Sequence, residues 1–288
     1  MINDWLRDDI DAVASGLLQI NEHDENTDVV GASGLKRRVV RFIELTRSAM
    51  YPEIYAQRRY NSTFLHAVVR DYLQQASILL CELCADLLED DKDVSRIVCS
   101  FMESLPKIAA VLKTDMRAAY LGDPAARSEQ EIQLAYPAFE AISIYRLAHR
   151  LFELQVPLLP RMMTEYAHQN TGIDIHPGAT IGEYFFIDHG TGVVVGETCV
   201  IGNNVKLYQG VTLGAKSFDA DENGNPIKGI KRHPQIGNGV VIYAGATILG
   251  GDTIIGDDCI IGSNVWLTKS VEPRSFVYYN ASISVCKH

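Results

Sequence analysis

The chain has 288 residues, of which 47% are hydrophobic and 22% charged. This composition is typical of a soluble globular protein with one large or two ordinary domains. The formal net charge of −10 argues against a general binder of nucleic-acid backbones. No apolar run approaches the ~20 residues of a membrane helix, and the acidic N-terminus does not resemble a signal peptide. We therefore expect a cytoplasmic protein without nucleic-acid or membrane partners.

The six cysteines give no sign of a metal or redox centre. Cys81 and Cys84 have C-x-x-C spacing, but they lie inside the apolar helical run SILLCELCADLLE. Neither a second such pair nor a histidine pair accompanies them, so helix packing is the simpler interpretation. We expect neither a bound metal nor a disulfide framework.

The first half of the sequence predicts helices. From Ser62 to Leu88 the apolar residues follow the three-and-four spacing of one helix face, with Ser62 as N-cap. Prolines are expected to break or begin the helices. Further helices are predicted from Asn3 to Leu18, Leu35 to Met50, Asp93 to Tyr120, Ala138 to Gln155 and Pro160 to Gln169. We predict an all-helical N-terminal domain over residues 1–169 that mediates oligomerisation.

Near Gly172 the period changes from helical spacing to six. Small residues or valine tend to follow each aliphatic residue by four places, and glycine often follows it directly. Neither an α-helix nor a flat strand keeps a six-residue period on one face, whereas a coil of three short strands does. The in-register aliphatic positions are Ile175, Ile181, Ile187, Val195, Ile201, Leu207, Leu213, Ile230, Ile236, Ile242, Ile248, Ile255, Ile261 and Leu267.

The pattern predicts a hexapeptide-repeat β-helix in a C-terminal domain over residues 170–288, and therefore an α+β protein. A β-sandwich with coincidental spacing is the alternative. Small slips of phase occur near Val193 and Ile254, and the polar stretch GAKSFDADENGNPIKG interrupts the repeat. We predict an extended loop over residues 214–230, either a lid over a functional face or a tolerated surface insertion.

Aspartate and histidine cluster at irregular points of the repeat, in DIHP (residues 174–177), DHGTG (188–192) and KRHP (231–234). Stacked coils lie ~4.8 Å apart, so Asp174 on one coil could reach His189 on the next. A carboxylate that binds one imidazole nitrogen leaves the other basic, which makes a general-base dyad. Surface or packing roles for these histidines are the alternative.

The run from DIHPGATIG through DHGTGVVVGET to KRHPQIGNGVVIYAGATILG resembles the serine O-acetyltransferase family over essentially the whole β-helix, and DMRAAYLGDPAA extends the similarity into the helices. The resemblance implies a left-handed parallel β-helix. It also implies His189 as general base, Asp174 as its orienting partner, and a serine site made of Asp123, Asp188, Arg232 and His233. The helical domain would thus supply part of the acceptor site.

The family's acyl donor is acetyl-CoA, a co-substrate that lies between neighbouring subunits, so the site is built by two chains of a trimer. The resemblance places it near Gly214, Ala215, Ala244 and Gly245, although these residues also suit the turns of the repeat. It implies a homotrimer or a hexamer of two trimers, and L-cysteine as a feedback inhibitor at the serine site.

Four features depart from the family pattern. Ala215 replaces the second glycine after VTL, the loop before RHP is longer, and Glu140 stands where the family has histidine. The chain also ends in SFVYYNASISVCKH in place of the family's long tail. Because that tail docks into O-acetylserine sulfhydrylase, a complex with this enzyme of cysteine biosynthesis is doubtful.

Three other functions remain open from the sequence. One is a related acyltransferase with homoserine or a sugar as acceptor, or with succinyl-CoA as donor. Another is a metal-dependent enzyme of the γ-carbonic anhydrase type, which needs three converging histidines. The third is a scaffold without catalysis. The leading prediction is acetyl transfer from acetyl-CoA to the hydroxyl of L-serine.

Overall fold

A computed structural model of the chain describes residues 10–11, 13–15, 34–56, 61–88, 91–217, 227 and 229–280, without the side chains of residues 91 and 92. Residues 10, 11 and 13–15 are helical, and the rest of the predicted helix from Asn3 to Leu18 lies outside this part. Residues 35–288 form a compact unit of their own. None of the described helices is long and apolar enough to cross a membrane.

The first part of this unit is helical, and each helix predicted from Leu35 onward is present. The predicted ends differ from the observed ones by a few residues at most. The elements are α1 (Leu35–Met50), α2 (Pro52–Tyr55), a 3-10 turn (Ser62–Phe64), α3 (Leu65–Leu87), α4 (Asp91–Gly122), α5 (Glu129–Ala135), α6 (Pro137–Glu153) and α7 (Leu159–Thr171).

Pro106 lies inside α4, although we expected prolines to break or begin helices. A proline in a helix interior costs roughly 3 kcal/mol because it removes one hydrogen bond and crowds the preceding turn. Apolar residues on both sides of it are buried, and this burial outweighs the cost. They are Val94, Ile97, Phe101, Leu105, Leu112, Met116 and Ala119.

Two helix starts differ from the sequence prediction. The predicted cap Ser62 lies in the 3-10 turn, and Asn61 caps that turn by accepting a hydrogen bond from the Thr63 amide at 3.2 Å. Helix α5 was not predicted. Ser128 caps it by accepting from the Glu131 amide at 3.0 Å, and the Ser-x-x-Glu pattern is a sequence signal that predicts this start.

The second part of the unit is a parallel β-helix of fourteen short strands in the described residues, as the six-residue period predicted. They are β1 (Asp174–Ile175), β2 (Thr180–Ile181), β3 (Phe186–Asp188), β4 (Val194–Val195), β5 (Val200–Ile201), β6 (Lys206–Tyr208), β7 (Thr212–Gly214), β8 (Gln235–Ile236), β9 (Val241–Ile242), β10 (Thr247–Leu249), β11 (Ile254–Ile255), β12 (Ile260–Ile261), β13 (Trp266–Leu267) and β14 (Phe276–Val277).

The strands form three parallel sheets. Sheet A runs β1-β4-β7-β10-β13, sheet B runs β2-β5-β8-β11, and sheet C runs β3-β6-β9-β12-β14. The in-register aliphatic residues stack in columns inside the prism and belong to its core, with the exception of Ile230, which lies in the loop between β7 and β8. In sheet A the column is Ile175, Val195, Leu213, Ile248 and Leu267.

Most strands begin six residues after the preceding one, but the corner after β3 is longer. Phe186 starts β3 and Val194 starts β4, eight positions later. Asp174 therefore pairs with Val194, twenty positions away, whereas Val194 pairs with Thr212, eighteen positions away. The slip of phase near Val193 thus marks a corner with two extra residues.

A buried ion pair joins α4 and α6 to the β-helix. The Arg146 side chain donates to the Asp115 carboxylate at 2.6 and 2.9 Å and to the carbonyl oxygens of Ile181 and Gly182 at 3.2 and 2.7 Å. Asp115 also accepts from the Phe185 amide at 2.9 Å. This network satisfies both buried charges and holds the helices against the first coil. The predicted domain boundary after residue 169 falls two residues before the end of α7.

Glu140, which replaces the family's histidine, has a structural partner. Its carboxylate lies 3.6 Å from the Arg47 guanidinium, so an ion pair links α6 to α1. Arg47 also donates to the Tyr55 hydroxyl at 2.9 Å. The charge at position 140 therefore contributes to packing between helices.

Candidate active site

The predicted site residues lie at two different corners of the triangular prism. We call the turns between sheets A and B the A–B corner (residues 176–179, 196–199, 215–217, 227, 229–234 and 250–253). The turns between sheets C and A are the C–A corner (189–193, 209–211, 243–246 and 262–265). Asp188 and His189 lie at the C–A corner, and Arg232 and His233 lie at the A–B corner.

His189 lies in the corner that contains the two extra residues. Its backbone has φ 60°, and Gly190 and Gly192 follow with φ 91° and 81°. This left-handed stretch turns the chain outward, and 73% of the His189 side chain is exposed. Its Nε2 atom lies 3.6 Å from Oδ1 of Asp188. The corner therefore presents an accessible imidazole beside a carboxylate.

Asp188 also contacts Lys206, a residue that the sequence reasoning missed. The Lys206 ammonium lies 3.1 Å from Oδ2 of Asp188 and donates to the Gly122 carbonyl oxygen at 2.8 Å. Burial by itself would lower the pKa of Lys206, but hydrogen bonds with Tyr208 and Asp188 outweigh it and raise that pKa. The strand register could have indicated this contact from the sequence, because Lys206 lies in β6 and Asp188 in β3, and these two strands pair.

Asp123 lies in the turn after α4. Its carboxylate accepts from the Tyr136 hydroxyl at 2.5 Å and from the Ala125 amide at 2.8 Å. The hydrogen bond from Tyr136, followed by the one from Ala125, lowers the pKa of Asp123, and the charges of Lys206 and His189 act in the same direction. Asp123 is therefore an anion in a turn near the C–A corner.

His233, at the A–B corner, is 7% exposed. Its Nδ1 atom accepts from the Thr198 amide at 3.1 Å and lies 2.9 Å from the Thr198 hydroxyl. Burial, reinforced by the charge of Arg232, lowers the pKa of His233 to about 4. The ring is therefore neutral at pH 7. Because Nδ1 accepts, the proton lies on Nε2, which can only donate.

A glycine makes room for this imidazole. A Cβ atom at Gly196 would lie 2.1 Å from the His233 ring, closer than any real contact. At the same corner, Nδ1 of His176 accepts a hydrogen bond from the Gly178 amide at 3.0 Å, and burial lowers the pKa of His176. The A–B corner thus holds two histidines whose neutral form is favoured.

Arg232 is paired within its own corner. Its guanidinium donates to the Glu197 carboxylate at 2.5 Å, and its backbone amide donates to the Thr198 hydroxyl at 3.0 Å. These contacts orient a planar group that can bind a carboxylate in bidentate fashion. About a fifth of the side chain, 22%, remains exposed.

Asp174 does not meet His189 within one chain, contrary to the dyad expected between successive coils. It lies in β1 on sheet A, and no ion pair joins these two residues in the part of the chain that the structure describes. Instead, a carboxylate oxygen of Asp174 lies within 4.8 Å of ligand atoms of Glu165 and His168. The coil geometry separates the two residues because His189 belongs to a corner and Asp174 to a flat face.

The predicted donor-site residues are also divided between the corners. Gly214 ends β7 at the A–B corner, and Ala215 begins the long loop, of which residues 218–226 and 228 lie outside the described part. Ala244 and Gly245 lie at the C–A corner. At Gly245, φ is 71° and a Cβ atom would lie 2.3 Å from the Asn264 side chain. The stacking of turns is therefore enough to require glycine there.

Comparison with known proteins places the fold in a class. The family described as bacterial transferase hexapeptide (six repeats) matches residues 233–269. Together with the stacked coils, this match defines a hexapeptide-repeat transferase with a left-handed parallel β-helix after a helical region.

Serine acetyltransferase 1 of Entamoeba histolytica, solved in complex with L-cysteine, is 38% identical with a TM-score of 0.76. The match covers 82% of this chain and 86% of that one. The chain therefore belongs to the serine acetyltransferase family. The Neisseria gonorrhoeae serine acetyltransferase in complex with serine is 29% identical with a TM-score of 0.56, over 85% of this chain and 96% of that one.

A curated relative from Synechococcus elongatus, named "Serine acetyltransferase, plasmid", is 59% identical over 183 residues. These residues make up 64% of this chain and 57% of the relative. The chain spans just over half the length of the curated relatives that it matches, from 51% to 59%.

Proposed function

We propose that this chain is a serine O-acetyltransferase, which transfers the acetyl group of acetyl-CoA to the hydroxyl of L-serine and yields O-acetylserine for cysteine biosynthesis. The observation that carries the proposal is the exposed His189 beside Asp188 in the expanded corner of the first coil. The names of the relatives support the substrate, because they are serine acetyltransferases.

The reaction needs a base because a serine hydroxyl is too weak an acid to attack a thioester unaided. As the serine oxygen bonds to the acetyl carbonyl carbon, its proton passes to the His189 imidazole. The tetrahedral intermediate then expels the CoA thiolate, which takes the proton from the imidazolium. The proposed path has no covalent acyl-enzyme: Cys199 is buried, and burial raises the pKa of its thiol to about 12, which disfavours the nucleophilic thiolate.

The acceptor is a zwitterion, and the two corners suit its two ends. Asp123 and Asp188 at the C–A corner offer anions for its ammonium group. Arg232 at the A–B corner offers a guanidinium for its carboxylate, and the Nε2 proton of neutral His233 offers a further hydrogen bond.

Since these groups lie at different corners of one chain, we infer that a complete site combines the C–A corner of one copy with the A–B corner of a second. The second copy would also bring its Asp174 to His189, in the orienting role that the family resemblance gives it. This arrangement requires a homotrimer, or a hexamer of two trimers.

Acetyl-CoA would enter between the two copies, past Gly214 and Ala215 on one and Ala244 and Gly245 on the other. We also propose that L-cysteine, which is bound in the Entamoeba relative, inhibits by occupying the serine site. A cytoplasmic location remains a prediction.

The test is release of the CoA thiol by the full chain with acetyl-CoA and L-serine, with homoserine and succinyl-CoA in parallel arms. We expect serine with acetyl-CoA to be the preferred pair. In the His189→Asn variant we expect kcat to fall by about 10²- to 10⁴-fold, the contribution of general acid–base catalysis. Asparagine tolerates the left-handed backbone at this position, so folding is retained.

Two outcomes contradict the proposal. If the wild-type protein releases no CoA with serine but does so with homoserine or succinyl-CoA, the acceptor or donor is wrong. If the His189→Asn variant keeps full turnover, the imidazole is not the base.

A further inference from the structure

Lys206 lies among the acceptor-binding carboxylates, although no step proposed above uses it. It is an outward residue of β6, one coil after Asp188. Its side chain is 19% exposed, and its ammonium lies 4.8 and 4.6 Å from the ring centres of Phe186 and Tyr208. A lysine held in this way has given up most of its hydration and rotamer freedom.

The partners of Lys206 are those that the ammonium of an amino acid needs. The Lys206 ammonium lies 3.1 Å from the Asp188 carboxylate and donates to the Gly122 carbonyl oxygen at 2.8 Å. A carboxylate and a backbone carbonyl oxygen are both acceptors for an ammonium group, which has three N–H donors. Gly122 directly precedes Asp123, the other carboxylate of the subsite.

The charge of the subsite follows from these contacts. Two carboxylates, Asp123 and Asp188, bring a charge of −2, and Lys206 returns it to −1. One further ammonium is still attracted, chiefly by Asp123, whose contacts are the Tyr136 hydroxyl and the Ala125 amide. The remaining oxygen of Asp188 faces His189 at 3.6 Å.

We propose that Lys206 is a specificity-determining residue, a tethered ammonium that shares Asp188 with the acceptor's ammonium and weakens binding of amino-acid acceptors. The proposal rests on the serine site proposed above. As a consequence, the site prefers an amino acid over the same acceptor without its amino group. This preference is weaker than it would be if both carboxylates were free of Lys206. The same cation weakens binding of any amino-acid inhibitor at this site.

The size of the effect follows from Coulomb's law. Two ammonium groups about 5 Å apart, in surroundings with an effective dielectric constant of about 40 to 80, repel enough to weaken binding about 4- to 20-fold. Replacing Lys206 by methionine removes the charge and keeps the length of the side chain. Replacing it by arginine keeps the charge.

The experiment compares K206M and K206R with the wild-type full chain. For K206M we expect the KM for L-serine to fall about 4- to 20-fold with kcat changed less, because only binding of the ammonium improves. For 3-hydroxypropionate, which is serine without its amino group, we expect a change of less than about twofold, measured as acceptor or as competitor of serine. K206R should bind serine as the wild type does. The matched control is K113M, an exposed lysine on α4.

The proposal is overturned if the KM for serine in K206M is unchanged or higher, because Lys206 would then only hold Asp188 in place. It also fails if serine and 3-hydroxypropionate gain equally, or if K206R gains as much as K206M. Should K206M not fold by circular dichroism, K206Q replaces it.

These outcomes are separate from the proposed function, which fails if the wild type releases no CoA with serine. In that case the role of Lys206 is tested by measuring the binding of L-serine and L-cysteine by calorimetry. Tighter binding to K206M supports the proposal, and equal, weaker or no binding overturns it.

Discussion

The two histidines predicted for the active site lie in opposite environments. His233 at the A–B corner is 7% exposed, accepts through Nδ1 and has a pKa lowered to about 4 by burial. His189 at the C–A corner has 73% of its side chain exposed. A general base at neutral pH must be free to take a proton and reachable by substrate. The contrast supports the proposal that His189 is the base and that His233 acts as a neutral hydrogen-bond donor.

In the proposed mechanism, neither corner is sufficient by itself. The C–A corner offers a base and anions, and the A–B corner offers a guanidinium and a neutral donor. Both corners belong to one rigid prism, so a single chain does not bring them together.

The largest effect is expected from combining two inactive variants. His189→Asn disables the C–A corner and Arg232→Met disables the A–B corner, so each variant alone should be nearly inactive. In a mixed trimer, with two copies of one variant and one of the other, about one interface in three combines the intact corners of both chains. We expect CoA release to return to about a third of the wild-type rate, measured on mixed trimers isolated through two different tags.

The matched control for this experiment pairs His189→Asn with Asp188→Asn. Both changes disable the C–A corner, so their mixture should stay inactive. If the first mixture shows no recovery, or if both mixtures recover equally, the two corners do not form a shared site.

An intermediate effect is expected on stability between neutral and acidic pH. The unfolded chain carries a histidine with an ordinary pKa of 6.5, whereas His233 in the folded chain has a pKa of about 4. As the pH falls through this window, only the unfolded chain takes up the proton. The free energy of unfolding should therefore decrease by on the order of 3 kcal/mol between about pH 6.5 and 4.

The His233→Asn variant removes this titration and keeps an acceptor near Thr198. Urea unfolding at a fixed chain concentration and at several pH values should give a shallower pH dependence for the variant than for the wild type. Equal slopes would mean that His233 titrates normally, and the contrast between the two corners would be lost.

The smallest effect is expected at Asp123. Tyr136→Phe removes the hydroxyl that lowers the pKa of this carboxylate, so the anion is less well held. We expect the KM for L-serine to rise about two- to fivefold with kcat nearly unchanged, the size of one lost hydrogen bond at a partly exposed group. Tyr120→Phe, at the end of α4, is the control. A rise of the same size in Tyr120→Phe would show that the effect is not specific to Asp123.

Much of the fold could be predicted from the sequence because its signals are periodic. The six-residue spacing appears in the structure as the columns of sheets A, B and C, and the predicted helices are present from Leu35 onward. The errors are local. Pro106 is tolerated within α4, Asn61 and not Ser62 makes the cap, and α5 was missed although Ser128 and Glu131 form a capping pattern.

The candidate site was less predictable because its contacts depend on which residues the coils stack. Lys206 carries no motif, and only the pairing of β6 with β3 places it beside Asp188. Asp174 and His189 seemed close when coils were counted, yet a coil has three faces, and the two residues occupy a face and a corner. Glu197, the partner of Arg232, was also outside the predicted set.

The sequence by itself determined the β-helix, because aliphatic residues that recur every six positions can all be buried in one simple way, inside a coil of three strands. It also indicated which side chains are candidates for the active site, because aspartate, histidine and arginine cluster where the repeat is interrupted. Only the tertiary structure decided how those side chains are divided between the two corners of the prism. Exposure and hydrogen-bond partners set the state of each histidine, and they arise from the stacking of coils and not from neighbours along the chain.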